Sequence, residues 1–182
     1  MLLVQKLYGN CKPNLAQTQA AFSKRSSHSF IERAAVHGAR SLIGPFPSYP
    51  GRFDQTLRDL KIETMDQDTV KCSFEVQENL CNGYGTLHGG YIATLVDVVG
   101  TLALIAKDKE KAGVSLDLNV SYVSSVNIGD RVSVIGQVLR MGNSYGFVEV
   151  VLKKESDGKI IAIGRHTKAF QTAGSSKERK KH

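Results

Sequence analysis

The chain has 182 residues, 41% of them hydrophobic and 23% charged, with a formal net charge of +7. That length fits one domain with extensions rather than two domains, and the apolar share is enough to fill a single core. The positive excess argues against a nucleic-acid-binding face, because it sits at the ends: residues 1–31 carry Lys6, Lys12, Lys24 and Arg25 with no acid before Glu32, and residues 175–182 read SSKERKKH.

Residues 1–50 read as an N-terminal extension. Their first thirty, MLLVQKLYGNCKPNLAQTQAAFSKRSSHSF, are basic, rich in Ser and Gln and free of acids. This is the composition of a mitochondrial targeting segment, and it predicts a mitochondrial (matrix) location. A leader without an address, in a cytoplasmic protein, is the alternative. ERAAVHGARSLIG (32–44) predicts a short helix. PFPSYPG (45–51) holds three of the four prolines and places the domain start near Gly51.

FDQTLRDLKI (53–62) predicts one or two helical turns feeding a first strand. TVKCSFEVQ alternates Val70, Cys72, Phe74 and Val76 with polar residues, the period-2 pattern of a strand. Gly89-Gly90 then opens a helix whose run from Tyr91 to Ala106 is apolar nearly all round, broken by Asp97 and Gly100. It falls short of the roughly 20 residues that a membrane span needs, so no integral membrane segment is predicted. A helix apolar on all sides must be covered on most of them, which about five strands cannot do; a second subunit is expected to help.

VSLDLNVSY places Val114, Leu116, Leu118, Val120 and Tyr122 on one face and Ser115, Asp117, Asn119 and Ser121 on the other. DRVSVIGQVLRM, SYGFVEVVLKKE and KIIAIGRHTKAF complete the strands. Gly142-Asn143 and Asp157-Gly158 join them as tight hairpin turns needing positive φ. Short connections make neighbours antiparallel, so the domain is an α+β unit of one helix on an antiparallel sheet. It spans 51–172, and 173–182 reads as a basic disordered tail. The cysteines Cys11, Cys72 and Cys81 are odd in number and lack metal-ligand spacing, which fits a reducing compartment. Cys72, on the apolar phase of its strand, reads as a small buried hydrophobe.

NGYGTLHGGYIATLVDVVGTLAL, GVSLDLNVSYVSS and IAIGRHTKAF together resemble the hotdog-fold acyl-CoA thioesterases, in the branch of thioesterase superfamily member 2. The resemblance covers 53–170. It implies a hotdog fold, an antiparallel sheet wrapped around one long central helix. It also implies hydrolysis of fatty acyl-CoA of medium to long chain, without metal or redox cofactor, in a homo-oligomer that is a dimer of dimers (a homotetramer). By resemblance Asp97 activates water or attacks directly, the Gly89 amide polarises the thioester carbonyl with help from Asn82, and Ser115 orients the water.

The chemistry agrees, since an oxyanion needs a donor and a helix N-terminus offers unpaired N–H groups. Gly89 and Asp97 are eight residues apart in the sequence, about 12 Å along one helix. Two antiparallel helices of paired subunits could bring one Gly89 beside the other Asp97. For the acyl-CoA itself, the resemblance offers His88, Ser115, Tyr122, Val123, Ser124, Ser125, Val126 and Asn127, then Arg140, Met141, Gly142, Asn143, Ser144 and Tyr145, and the GRHTK end with Arg165, His166 and Lys168. Asn127 and Asn143 stand where relatives tend to carry lysine, and Ala169 replaces a polar or basic residue.

Each has a plainer reading: His88 as a cap, Asn82 as a loop brace, and Arg140, Lys153 and Lys168 as solvated strand charge. Two other functions fit the fold. Hydratases of this fold pair a catalytic histidine with an acid at another spacing, whereas His88 and His166 sit in no such pattern here. A non-catalytic acyl-CoA binder would not need Asp97.

Overall fold

The computed structural model describes residues 53–109 and 111–170. The readings at the N-terminal extension, Cys11 and the C-terminal tail lie outside the described residues. A short 3-10 turn, Phe53–Leu57, leads into β1 (Lys61–Met65) and β2 (Thr69–Glu75). The long helix α1 (Gly89–Lys107) follows, and then β3 (Val114–Tyr122), β4 (Arg131–Met141), β5 (Tyr145–Lys154) and β6 (Ile160–Ala169). The six strands form one sheet in the order β1-β2-β4-β5-β6-β3, every pair antiparallel. The sheet wraps α1, which packs on β2 through β6. This is the expected α+β hotdog architecture, with one strand more than the sequence reading counted.

The extra strand is β1. A register shift between Ile62 and Thr64 breaks its alternation, so its buried residues Ile62 and Met65 lie three positions apart. A period-2 search passes over such a strand.

The strands supply the core through their helix-facing positions. Val70, Cys72 and Phe74 of β2, Val132 and Val134 of β4, and Val148, Val150 and Leu152 of β5 are all buried against α1 residues such as Leu95, Val96 and Val99. The Phe74 and Tyr91 rings meet edge to face, with centroids 5.4 Å apart. Burial drives the Cys72 thiol up to about 12, so it is an inert apolar filler, as the sequence reading has it.

Two strand glycines let the helix approach. A Cβ on Gly164 would lie 2.5 Å from Val96 Cγ1, and one on Gly136 would lie 3.0 Å from the Val99 carbonyl oxygen. The backbones of β6 and β4 therefore sit where no side chain fits between sheet and helix.

By length and composition α1 could cross a membrane, and it is longer than the apolar run suggested. Half of its most apolar stretch is buried inside the sheet, as in the core helix of a folded domain. Residues on its remaining side, Asp97 and Val98 among them, are only partly covered.

The two hairpin turns differ. Gly158 adopts the expected left-handed conformation, φ +73°, but within a wider connection than a tight turn: residues 155–159 separate β5 from β6, and the Lys154 N–H donates to the Lys159 carbonyl at 2.9 Å. Gly142 is not among the glycines with positive φ. The β4–β5 connection is the shorter of the two, residues 142–144: Met141 pairs with Gly146, and the Gly142 N–H donates to the Tyr145 carbonyl at 2.8 Å, which puts Asn143 and Ser144 at the tip and Gly142 beside it.

Candidate active site

Asp97 stands on the partly covered side of α1, its side chain 47% exposed, and the strands bring three polar residues to it. The nearest is Ser115 on β3, whose hydroxyl donates to Asp97 Oδ1 at 3.5 Å. A regular β3 would not allow this. The sequence reading put Ser115 on the face opposite Leu118 and Tyr122. The structure corrects that with a bulge between Ser115 and Asp117: Ser115 pairs with Lys168, Asp117 with Thr167, and Leu118 with His166. The extra residue shifts the alternation by one, so Ser115 joins Leu118, Val120 and Tyr122 on the helix-facing side.

β6 contributes two groups. His166 is 1% exposed; its Nε2 lies 2.9 Å from Ser115 Oγ and 3.5 Å from Asp97 Oδ1, and its buried Nδ1 forms no hydrogen bond among the described residues. Lys168 is 6% exposed, and its Nζ donates to Thr101 Oγ1 at 2.8 Å and lies 3.9 Å from Asp97 Oδ1. Thr101, one helical turn beyond Asp97, donates in turn to the Asp97 carbonyl at 2.7 Å.

Both basic groups hold their protons less readily than usual. For His166 the causes are burial first and then the Lys168 charge, opposed by Asp97 and Asp117; for Lys168 the cause is burial, opposed by Asp97. These placements correct the sequence reading at Lys168, which is neither a solvated strand charge nor a group at the outer surface of the sheet. His166, which sits in no hydratase spacing in the sequence, has Asp97 beside it. The missed signals were regular ones: residues i and i+4 share a helix face, which ties Thr101 to Asp97, and alternate residues share a strand face, which ties His166 to Lys168.

The second cluster lies at the start of α1. His88 caps the helix, its Nδ1 accepting the Gly90 N–H at 2.8 Å. That leaves the Gly89 N–H with no acceptor among the described residues, as the first turn of a helix permits. The Tyr122 hydroxyl donates to the Gly89 carbonyl at 3.1 Å, so its ring lies over this turn. Asn82 braces the preceding loop: its Oδ1 accepts from the Tyr84 N–H at 2.9 Å and the Thr86 N–H at 3.3 Å, and its Nδ2 donates to Thr86 Oγ1 at 3.0 Å. One Nδ2 hydrogen stays uncommitted.

The connection after β3 runs beside this loop, since Leu87 N–H donates to the Val126 carbonyl and Asn127 bridges Thr86. Val123 and Ser125 are exposed there, Val126 is buried, and the Ser124 hydroxyl is bonded to the Ile160 carbonyl. The other predicted group, Arg140 to Tyr145, forms the exposed β4–β5 turn at the opposite end of β3, where Tyr145 and Val114 both pair with Ala169. One chain therefore unites Asp97 with Ser115, and Gly89 with Tyr122 and His88, with Asn82 in the loop that leads to this helix start. It leaves these two clusters two helical turns apart on α1, about 12 Å.

β3 is also the open edge of the sheet. Among the described residues it is bonded only to β6, and none of its residues is buried, with Leu116 59% and Tyr122 57% exposed. Unpaired backbone groups beside exposed apolar side chains make a surface suited to a second strand.

The family model described as "Thioesterase superfamily" matches residues 84–161. Acyl-coenzyme A thioesterase 13 of Mus musculus is 39% identical over 119 residues, covering 65% of this chain and 84% of that protein. The Homo sapiens protein of the same name is 38% identical over 116 residues, covering 64% and 83%. Among solved structures, zebra fish thioesterase superfamily member 2 superposes with a TM-score of 0.71 at 34% identity, covering 75% of this chain and 98% of that one. On these likenesses, and on a sheet and helix arranged as described, the chain belongs to the thioesterase superfamily, whose hotdog fold and thioester-hydrolase class it shares.

Proposed function

We propose that the chain hydrolyses fatty acyl-CoA, of medium to long chain, to free fatty acid and CoA at a site shared between two subunits. The observation that carries this reading is Asp97, a half-exposed carboxylate on an otherwise apolar helix with the Ser115 hydroxyl beside it. In this reading a water oxygen attacks the thioester carbon while its proton passes to Asp97. The carbonyl oxygen becomes an oxyanion and accepts the Gly89 N–H and the spare Asn82 Nδ2 hydrogen. Collapse breaks the C–S bond, and the departing thiolate takes up the proton that Asp97 received, which regenerates the carboxylate.

Reacting groups must lie within about 3 Å of their atoms, which two positions about 12 Å apart on one helix cannot manage. A partner chain that pairs with the open edge of β3 would lay its own α1 alongside and supply the missing half. In that dimer Tyr122 to Asn127 line the approach to Gly89, and the turn Arg140 to Tyr145 is the candidate holder of the CoA phosphates. Pairing of two such dimers gives the tetramer. The basic, acid-free residues 1–31 are read as a mitochondrial address, which microscopy of the full chain tagged at its C-terminus would test.

The hydratase reading has less support. Its catalytic histidine would have to touch substrate, and His166 is 1% exposed behind Asp97 and Ser115.

The test is release of free thiol from acyl-CoA of graded chain length by the full-length protein and by Asp97→Asn. Hydrolysis that falls at least about a hundredfold in the folded, still oligomeric variant is expected. Equal rates would remove Asp97 from the mechanism, and binding without thiol release would favour the non-catalytic acyl-CoA binder.

A further inference from the structure

Two basic side chains converge on one carboxylate oxygen. His166 Nε2 lies 3.5 Å and Lys168 Nζ 3.9 Å from Asp97 Oδ1, and both side chains are almost wholly buried. If both were protonated, the cluster would hold an uncompensated positive charge away from water, which is expensive. One carboxylate can balance one cation.

We propose that Lys168 is the cation and a positioning residue of the site: its ammonium, seated on Thr101, balances Asp97 and keeps His166 neutral, so that Ser115 is aimed by the imidazole and not displaced by it. The inference rests on the proposed hydrolase function and adds a residue to it.

The hydrogen bonds fit this division. Lys168 Nζ donates to Thr101 Oγ1 at 2.8 Å, and Thr101 donates to the Asp97 carbonyl at 2.7 Å, which ties the ammonium to the turn of α1 that carries Asp97. A neutral His166 has one ring proton to place. Among the described residues its Nδ1 forms no hydrogen bond, and its Nε2 faces Ser115 Oγ at 2.9 Å; the Asp97 backbone carbonyl, which favours a protonated ring, is the other acceptor acting on it. A buried donor without an acceptor is costly, so the proton belongs on Nε2. Nε2–H then donates to Ser115 Oγ, and the Ser115 hydroxyl hydrogen is free for Asp97 Oδ1 at 3.5 Å or for a water beside it.

The charged groups around the ring are few. Asp97 faces it from α1 and Lys168 neighbours it on β6; Asp117 of β3, paired with Thr167 on the other face of the sheet, acts only through its charge, and the cross-strand partner on β5 is Val148. Burial and then the Lys168 charge both disfavour the imidazolium. Removing Lys168 makes the imidazolium easier to form. The ring would then pair with Asp97 directly, and the carboxylate would lose its availability to water.

The experiment uses the full-length protein, with Lys168→Met as a neutral replacement of similar length and Thr101→Val as a second variant that removes only the seat. Expected for Lys168→Met is a kcat at least about tenfold lower with KM within about twofold, and an acid limb of the pH–rate profile moved to higher pH. Thr101→Val should move both in the same direction by less. NMR of the His166 ring supplies a readout independent of turnover: a neutral Nε2–H tautomer at pH 7 in the wild type, and protonation at higher pH in Lys168→Met.

A protonated His166 at pH 7 in the wild type would overturn the proposal. So would an unchanged kcat and pH profile in Lys168→Met, or a raised KM with kcat intact, which would make Lys168 a phosphate contact instead. Asp97→Asn run alongside separates the failures. If it too keeps the wild-type rate, the hydrolase mechanism is wrong; if it is inactive while Lys168→Met is normal, only the positioning role is.

Discussion

His166 couples the candidate site to the stability of the fold. Its ordinary value is 6.5, and burial, followed by the Lys168 charge, holds it lower in the folded chain. The unfolded chain therefore binds the proton first as pH falls. The sign follows from linkage: stability is greatest above about pH 6.5 and is lost on descending from there toward the folded value. Thermal melts between pH 7.5 and pH 5, above the range where most carboxylates titrate, should show Tm falling with pH. His166→Gln should flatten that slope even where it lowers stability at pH 7.5, and an unchanged slope would show that another group titrates. A serine in an alternating strand is commonplace, which is why Ser115 could be tied to Asp97 in the sequence only by resemblance. What makes it a neighbour of Asp97 and His166 is a one-residue bulge.

Among the elements, α1 and the strands it crosses set the tolerance of the fold. Gly164 meets Val96 at a distance no real Cβ could keep, 2.5 Å. Gly164→Ala should therefore destabilise by about 1–3 kcal/mol through overpacking, seen as a lowered denaturation midpoint with an unchanged slope. A variant as stable as the wild type would mean that helix and sheet separate more easily than their packing implies. The apolar run 91–106 announced α1, and clean alternation announced β2, β4 and β5. β1 stayed hidden because its bulge spaces the buried Ile62 and Met65 by three. Asp157-Gly158 promised a tight turn and sits in a wider connection, residues 155–159, while Gly142 flanks the shorter β4–β5 turn without positive φ, since a glycine permits positive φ without requiring it.

For the whole molecule the consequence is a shared site. If Gly89 of one chain works with Asp97 of its partner, two inactive variants can repair each other. Asp97→Asn and Gly89→Val, mixed after reversible dissociation, form heterodimers with one site wholly wild type. Equal mixing should restore about a quarter of the wild-type rate, read as thiol release against time. No recovery from a mixture shown by mass to contain heterodimers would place both residues of a working site in one chain. The open edge of β3, with its exposed apolar side chains, and the partly covered side of α1 are the surfaces such a dimer would use.

The sequence by itself determined what depends on local pattern: a long apolar helix opened by a glycine pair, alternating strands after it, and a carboxylate at Asp97 that an apolar face does not otherwise explain. It also carried the motifs by which the family is recognised. Only the tertiary structure decided which polar residues meet that carboxylate. His166 and Lys168 come to Asp97 from about 70 residues away because β6 lies beneath the helix, and Ser115 comes because a bulge turns it. Their burial makes the number of charges there a matter of electrostatic balance, which alternation along a strand cannot express.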